Sequence, residues 1–215
     1  MTEHQKHQPE QSRDSADGVR SLVDALYRDF LLRDLFGKVV PGAIVGLSLF
    51  VDRELTLAMV GRLEMSIPVA LLLAGCAWIV GFAVQGIGEK TRLITHHPAR
   101  YREHTSRYSV RIRFKRHASQ DDQRQVERYT IIKEAAGNGG TAFALAAVIL
   151  VVRALVDSDR LFRSTGTLVL ILLVLVVLAA ALLYTNRTHA NKHYDFMEEV
   201  NRMALGNSDD RSTRA

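Results

Sequence analysis

The stretch TGTLVLILLVLVVLAAALLYT, residues 165–185, is the strongest structural signal in the chain because it runs for 21 positions without a charged side chain. As an α-helix rising 1.5 Å per residue, it would extend about 30 Å, the thickness of the hydrocarbon core of a bilayer. It is apolar on every face, whereas a helix at the surface of a soluble domain carries a polar face. The stretch therefore predicts a membrane-spanning helix.

Three further uncharged runs precede this stretch in the sequence. Residues 67–87 and 135–152 each meet the length expected of a spanning helix. Residues 39–51 are shorter and fit either a re-entrant or interfacial segment or a span lengthened by residues 35–37, with Lys38 reaching towards the headgroups. We expect an all-α polytopic membrane protein with a four-helix transmembrane bundle and a cytoplasmic hairpin that is partly helical and partly extended.

The charge pattern divides the chain into membrane and cytoplasmic segments. Of the 28 Lys and Arg residues, 23 fall in the N-terminal segment, the loop between spans two and three, and the C-terminal tail. The positive-inside rule therefore predicts that both termini are cytoplasmic. The expected segments are a disordered tail (1–18), an amphipathic interfacial helix (21–36), spans one and two (37–87), a basic cytoplasmic loop (88–134), spans three and four (135–186) and a cytoplasmic tail (187–215).

The amphipathic segment 21–36 permits two interpretations. Its apolar residues recur at helical spacing among Asp and Arg residues, which suits a helix lying on the cytoplasmic membrane surface. The same pattern suits a helix packed against other cytoplasmic parts of the chain. The first eighteen residues are polar and lack the apolar core of a signal peptide, so we expect no cleavage.

The basic loop is the most distinctive polar part of the chain. Residues 99–117 carry seven Lys or Arg against one Glu. Residues 109–116 alternate between apolar and basic side chains, which predicts a short strand or extended segment with one basic face. Ser119 and Asp122 resemble a helix capping box, and the helix that they begin is expected to continue into span three.

Three functions fit this basic loop. It could set topology and attract anionic headgroups, or bind an anionic ligand such as a nucleotide signal or a lipid phosphate. Nucleic-acid binding is disfavoured because no binding module accompanies the interleaved aromatic residues. The candidate contacts to an anionic ligand or lipid are Arg100, Arg102, Arg107, Arg111, Arg113, Lys115 and Arg116.

Small residues predict where helices pack. Gly42, Gly46, Gly75 and Gly81 are the candidate positions at which spans one and two approach a neighbouring helix. Span four consists mostly of Leu and Val and is expected to face lipid. No ionisable residue lies near the middle of any span, which disfavours a secondary transporter.

Histidines are the one candidate for metal chemistry. His96 and His97 follow span two, and His189 and His193 lie one helical turn apart after span four. Membrane di-iron hydroxylases use HH and HxxxH patterns, but they require about eight ligands, whereas two of the eight histidines lie in the N-terminal tail. No nucleophile elbow, phosphate-binding glycine loop or CxxC pair is present. We expect no cofactor and no enzymatic activity.

Two segments resemble a known group of proteins. The sequences RDLFGKVVPG, residues 33–42, and ERYTIIKEAAGN, residues 127–138, look like uncharacterised bacterial multi-pass inner-membrane proteins of the kind found beside defence or stress systems. The resemblance covers about thirty residues and carries no functional residue. It implies a small effector or accessory subunit in a bacterial inner (plasma) membrane.

The sequence therefore predicts a non-enzymatic, oligomeric inner-membrane protein that forms a pore, perturbs the membrane or transmits a cytoplasmic signal to it. The expected partners are a bilayer with anionic headgroups and further copies of the chain. An alternative is a scaffold or sensor that recruits a soluble cytoplasmic partner through the loop and residues 194–203. A histidine-metal membrane enzyme is the third interpretation.

Overall fold

The described part of the chain is helical except at residues 66, 91–98 and 118–119, and it contains no strand. A computed structural model describes residues 27–50, 66–98, 104–156 and 165–212, so the tail 1–18 and the segment 51–65 lie outside the described residues. A π-helical segment, Tyr27–Val39, leads into helix α1, Val40–Phe50. The helices that follow are α2 (Ile67–Lys90), α3 (His104–His117), α4 (Gln120–Val156) and α5 (Thr165–Ser212).

Three helices, α2, α4 and α5, are long and apolar enough to cross a membrane. Burial separates their roles, since 39% of the apolar window of α4 is buried against 11% in α2 and 6% in α5. Helix α4 is therefore the central helix. The apolar part of α5 presents most of its side chains outwards, as expected for a lipid-facing span. The structure thus supports the prediction of an all-α membrane protein, with three candidate crossing helices instead of the four expected.

Helix α1 packs between α2 and α4. Its Gly42 lies against the backbone of Ala77, and Gly81 of α2 lies against the backbone of Lys38. At one end, the Asn138 side-chain amide of α4 donates to the Gly37 carbonyl at 2.6 Å. At the other end, the Arg153 guanidinium donates to the Ser48 carbonyl at 3.0 Å. Helix α1 therefore runs parallel to α4 and antiparallel to α2.

The π-helical segment contacts α2 and α4, so its end at residues 33–39 packs on the protein itself. Arg33 forms an ion pair with Glu134 at 3.5 Å. Lys38 is paired with Asp34 at 2.6 Å, and its ammonium lies 4.3 Å from the centre of the Phe82 ring. These contacts satisfy Lys38 beside apolar spans, where an unpaired charge would be costly.

The predicted strand within residues 109–116 is wrong, because the segment belongs to helix α3. Val110 and Phe114 are spaced four residues apart and therefore share one face of a helix. Phe114 is buried against Tyr194, Met197 and Val200 of α5, and Val110 packs beside them. Packing against α5 thus selects the helical period over the alternation seen in the sequence.

The capping box at Ser119 is confirmed. The Asp122 amide donates to Ser119 Oγ at 3.2 Å, while the Ser119 amide donates to Asp122 Oδ2 at 2.9 Å. This reciprocal pair satisfies two amides that the first turn of a helix leaves without partners. Helix α4 starts at the next residue and, as predicted, continues without interruption into its apolar segment.

Parts of three helices outside the apolar runs form a small helical head. We define the head as α3, the first half of α4 and residues 186–205 of α5. Its apolar core consists of Phe114, Tyr194, Met197 and Val200, with Val126 and Phe196 packed against it. Because α4 and α5 also form the membrane segments, the head and the membrane part share two helices.

The close approach of α1 and α2 predicts the effect of two alanine substitutions. A Cβ atom at Gly42 would overlap the carbonyl oxygen of Ala77, whereas a Cβ atom at Gly46 would have no atom within 4 Å. We expect Gly42→Ala to lower the thermal unfolding temperature of the detergent-solubilised protein by several degrees, because the helices must separate. Gly46→Ala is the matched control and should leave that temperature unchanged. Equal effects at both positions would contradict this packing.

Candidate functional site

A buried asparagine joins three parts of the chain where α5 leaves its apolar segment. The Asn186 side chain is fully buried. Its Oδ1 accepts a hydrogen bond from the Thr95 amide at 2.8 Å, and its Nδ2 donates to the Lys133 carbonyl at 2.9 Å. We call Asn186, Thr95 and Lys133 the polar junction. It connects α5 to α4 and to the segment that follows α2.

Glycines in α4 make room for the polar junction. A Cβ atom at Gly137 would lie 2.9 Å from Asn186 Nδ2 and 3.0 Å from Ile94 Cγ2. One turn further, a Cβ atom at Gly140 would lie 2.8 Å from the Leu183 side chain. These distances are too short for ordinary side-chain contacts, so glycine is what allows α5 to approach α4 here.

Lys133 is a buried cation without a carboxylate partner within the part of the chain that the structure describes. Only 4% of the residue is exposed. Its ammonium lies 3.4 Å from the His96 carbonyl and 3.4 Å from His193 Nδ1. Burial lowers the pKa of Lys133 below its ordinary value of 10.5; Glu134 partly opposes this change, and Arg111 adds to it.

His193 lies beside Lys133 and is held neutral. Burial is the largest cause that lowers its pKa, and together with the positive charges of Lys133 and Arg111 and a contribution from His97 it brings the pKa from 6.5 to about 3. The Lys133 ammonium can only donate, so Nδ1 of His193 accepts and we assign the ring proton to Nε2. The neutral ring can thus serve as a hydrogen-bond donor through Nε2.

A groove of about 770 Å³ opens on the head beside His193. Helix α3 forms one wall, helix α4 forms the other, and His193 and Met197 contribute from α5. We call it the basic groove because Arg111 and Lys115, one turn apart on α3, both line it. The α4 wall bears the polar side chains Gln123, Glu127 and Thr130.

The helical form of α3 separates the predicted basic contacts. Arg111 and Lys115 line the basic groove, whereas Arg113 points to another groove that Glu198 and Glu199 also line. Arg116 is exposed and lines neither groove. Arg100, Arg102 and the side chain of Arg107 lie outside the described residues. The prediction of an extended segment implied a single basic face. The described basic residues of α3 do not form one.

The candidate packing glycines also fall into two groups. Gly42 and Gly81 lie at backbone contacts between α1 and α2, together with the π-helical segment that precedes α1. Gly46 and Gly75 have open space where a side chain would project. Asn138, another polar residue at the start of a span, bonds across to Gly37 and does not line a channel.

The four candidate metal-binding histidines have different neighbours. His96 Nε2 lies 3.2 Å from Glu89, while His97 Nδ1 shares a hydrogen bond of 2.8 Å with the Tyr194 hydroxyl. His189 Nδ1 lies 3.0 Å from the Thr185 carbonyl, and His193 faces Lys133. Within the described ranges, no group of three or more His, Cys, Asp or Glu side chains could hold a metal ion.

Sequence reasoning missed Asn186 and Lys133 as site residues. A signal for the first was present, because Asn186, Ala190, His193, Tyr194, Met197 and Val200 follow helical spacing and all are buried. That stripe indicates that residues 186–200 present one face of a packed helix. Nothing comparable marks Lys133, since a lysine at the end of a polar segment ordinarily lies in solvent.

Comparison of the chain with models of protein families, with curated proteins and with solved structures finds no match. The interpretation of the polar junction and the basic groove therefore depends on their own chemistry.

Loss of the Asn186 amide should destabilise the whole protein. Asn186→Ala leaves the partly buried Thr95 amide without its acceptor, at a cost of about 1–3 kcal/mol. The matched control is Asn191→Ala, because Asn191 is exposed on the same helix. Chemical unfolding in detergent micelles measures both free energies. A change no larger for Asn186→Ala than for Asn191→Ala would show that the polar junction contributes nothing to stability.

The buried histidine predicts a pH dependence of stability. Because the folded-state pKa of His193 lies near 3 and the unfolded value near 6.5, the unfolded state binds more protons between these values. Stability should be unaffected by this group above pH 6.5 and fall by about 1.4 kcal/mol for each pH unit below it. In NMR spectra, the His193 ring signals should not titrate between pH 5 and 8. A His193 midpoint near 6.5 would contradict the assignment, and His193→Gln identifies the signals.

Proposed function

We propose that this chain is a non-enzymatic, multi-pass protein of a bacterial inner membrane that relays a change in its cytoplasmic head to its membrane-spanning helices. One observation carries the proposal. Helices α4 and α5 extend about 55 Å and 70 Å without interruption, and each belongs both to the head and to the membrane part. A displacement in the head must therefore move the membrane segments or bend one of these helices.

The polar junction supports this relay because it sits where the two parts meet. Asn186 follows the apolar run 165–185, and Lys133 precedes the apolar run 135–152. Their hydrogen bond holds α5 against α4 at that level, and the Thr95 bond adds the end of α2. Packed interfaces of this kind shift between discrete arrangements more readily than they deform continuously.

We propose that α1 provides the fourth crossing. The Gly37–Asn138 contact lies near the start of the apolar run of α4, and the Ser48–Arg153 contact lies at its far end. The chain thus runs beside α4 from Gly37 to Ser48, which is about 17 Å of a hydrocarbon core about 30 Å thick. An even number of crossings puts both termini on the same side of the membrane, and the distribution of Lys and Arg favours the cytoplasmic side. A reporter fused to residue 1 should be cytoplasmic; an extracytoplasmic reporter would leave three crossings.

We also propose that the chain forms a homo-oligomer. The alternative function, a pore, would require such an assembly. In the described bundle, Asn138, Thr141 and Ser48 use their side chains in hydrogen bonds to backbone carbonyls. These three side chains are engaged within the described bundle and do not mark a polar path along its middle. A pore would therefore need to be lined by several copies, whereas a relay can operate within one copy.

A spin-label experiment tests the relay. In a Cys76→Ala background, labels at Val156 and Val169 report the separation of α4 and α5 at the ends remote from the head. Tyr194→Ala removes a fully buried ring from the core of the head, and Tyr184→Ala removes an exposed ring from the same helix. We expect Tyr194→Ala to shift the 156–169 distance by about 1–2 Å or to broaden its distribution, and Tyr184→Ala to do neither.

A second label pair makes the result decisive. Labels at Arg116→Cys and Glu199→Cys report the separation of α3 and α5 in the head, since both positions are exposed. If Tyr194→Ala changes the 116–199 distance while the 156–169 distance remains as in the parent protein, the head moves without the membrane helices. That outcome would rule out the relay.

A further inference from the structure

The two walls of the basic groove differ in chemistry. On α3, Arg111 and Lys115 bear positive charge. On α4, Gln123, Glu127 and Thr130 are spaced at one-turn intervals, so that their amide, carboxylate and hydroxyl groups follow one face. A ligand that matches both walls carries an anionic group at one side and hydrogen-bond donors at the other.

Among the described residues, no ion pair neutralises the positive wall. None of the ion pairs among the described residues includes Arg111 or Lys115. Lys133 adds a further positive charge behind His193, which lines the groove. An anion entering the groove would therefore gain favourable interactions that no carboxylate of the described chain already supplies, and Arg binds phosphate oxygens through two donors at once.

Glu127 argues against a ligand that carries only negative charge, such as an inorganic anion or an anionic lipid headgroup without hydrogen-bond donors. Its carboxylate would repel a second negative charge, but it accepts hydrogen bonds from hydroxyl or amino groups. The volume of about 770 Å³ falls in the range of small-molecule sites. Tyr108 also lines the groove and offers a flat ring for stacking.

The location of the groove favours access from water. Thr130 and Gln123 precede the apolar run that starts at residue 135 by five and twelve residues, which corresponds to about 7 and 18 Å along α4. The groove therefore begins at the level of the lipid headgroups and extends beyond them. A soluble molecule reaches all of it, and a large lipid headgroup reaches its lower end.

We propose that the basic groove binds a phosphate ester that also carries hydroxyl or amino groups, with the phosphate at Arg111 and Lys115 and the donors at Gln123, Glu127 and Thr130. A mononucleotide has this chemistry, and so does the headgroup of a phosphorylated inositol lipid. This site would supply the input of the proposed relay. Binding is measured without reference to helix movement, so either proposal can fail alone.

The test uses the full chain in phosphatidylcholine nanodiscs. Adenosine monophosphate and inorganic phosphate are titrated separately by calorimetry, and a parallel arm measures enrichment of phosphatidylinositol 4-phosphate over phosphatidylcholine by native mass spectrometry. Arg111→Gln removes a charge from the groove, whereas Arg116→Gln removes an equal charge from the same helix outside it. Glu127→Gln tests the donor-binding wall.

We expect one of the two phosphate esters to bind with an affinity about tenfold lower in Arg111→Gln and less than twofold lower in Arg116→Gln, as for loss of one charge-assisted hydrogen bond. Inorganic phosphate should bind more weakly than that ester, and Glu127→Gln should reduce this difference. Binding of adenosine monophosphate alone would identify a soluble ligand. Enrichment of phosphatidylinositol 4-phosphate alone would identify a lipid headgroup. Equal losses in Arg111→Gln and Arg116→Gln, or no binding in either arm, overturn the proposal.

Discussion

The two hydrogen bonds of the Asn186 side chain hold together three segments that the sequence places far apart. Thr95 is 91 residues from Asn186 along the chain, and Lys133 is 53 residues from it. Without these bonds, the Lys133 carbonyl and the partly buried Thr95 amide would each have one partner fewer, and α5 would lose one of its polar attachments to the segment after α2. The arrangement of the head over the membrane segments follows from this constraint.

The glycines of α4 and the burial of Lys133 are consequences of the same close approach. Because Gly137 and Gly140 have no side chains, α5 comes near enough for Asn186 to reach the Lys133 carbonyl. The approach also encloses the Lys133 side chain, which is left beside a neutral histidine instead of a carboxylate. The positive charge behind the basic groove therefore arises from the packing of the two long helices.

The features that sequence reasoning predicted well are local. The apolar runs, the capping box at Ser119 and the uninterrupted passage from cap to membrane segment each depend on one stretch of chain and its solvent. The prediction of an extended basic segment was wrong because the spacing of Val110 and Phe114 fits both the two-residue period of a strand and the period of a helix. Packing of Phe114 against Tyr194 and Met197 selected the helix, and the choice moved Arg113 away from Arg111 and Lys115.

The amino-acid sequence alone determined that this chain contains helices for an apolar solvent and a basic polar part, because hydropathy and charge act residue by residue. Only the tertiary structure decided which cations share a groove, why Asn186 is buried and where Lys133 lies. The positions of Asn186 and Lys133 depend on contacts between residues 37 to 91 positions apart, such as Lys133 with His96 and Asn186 with Thr95. Burial of a polar group depends on which helix covers it, and no local pattern contains that information.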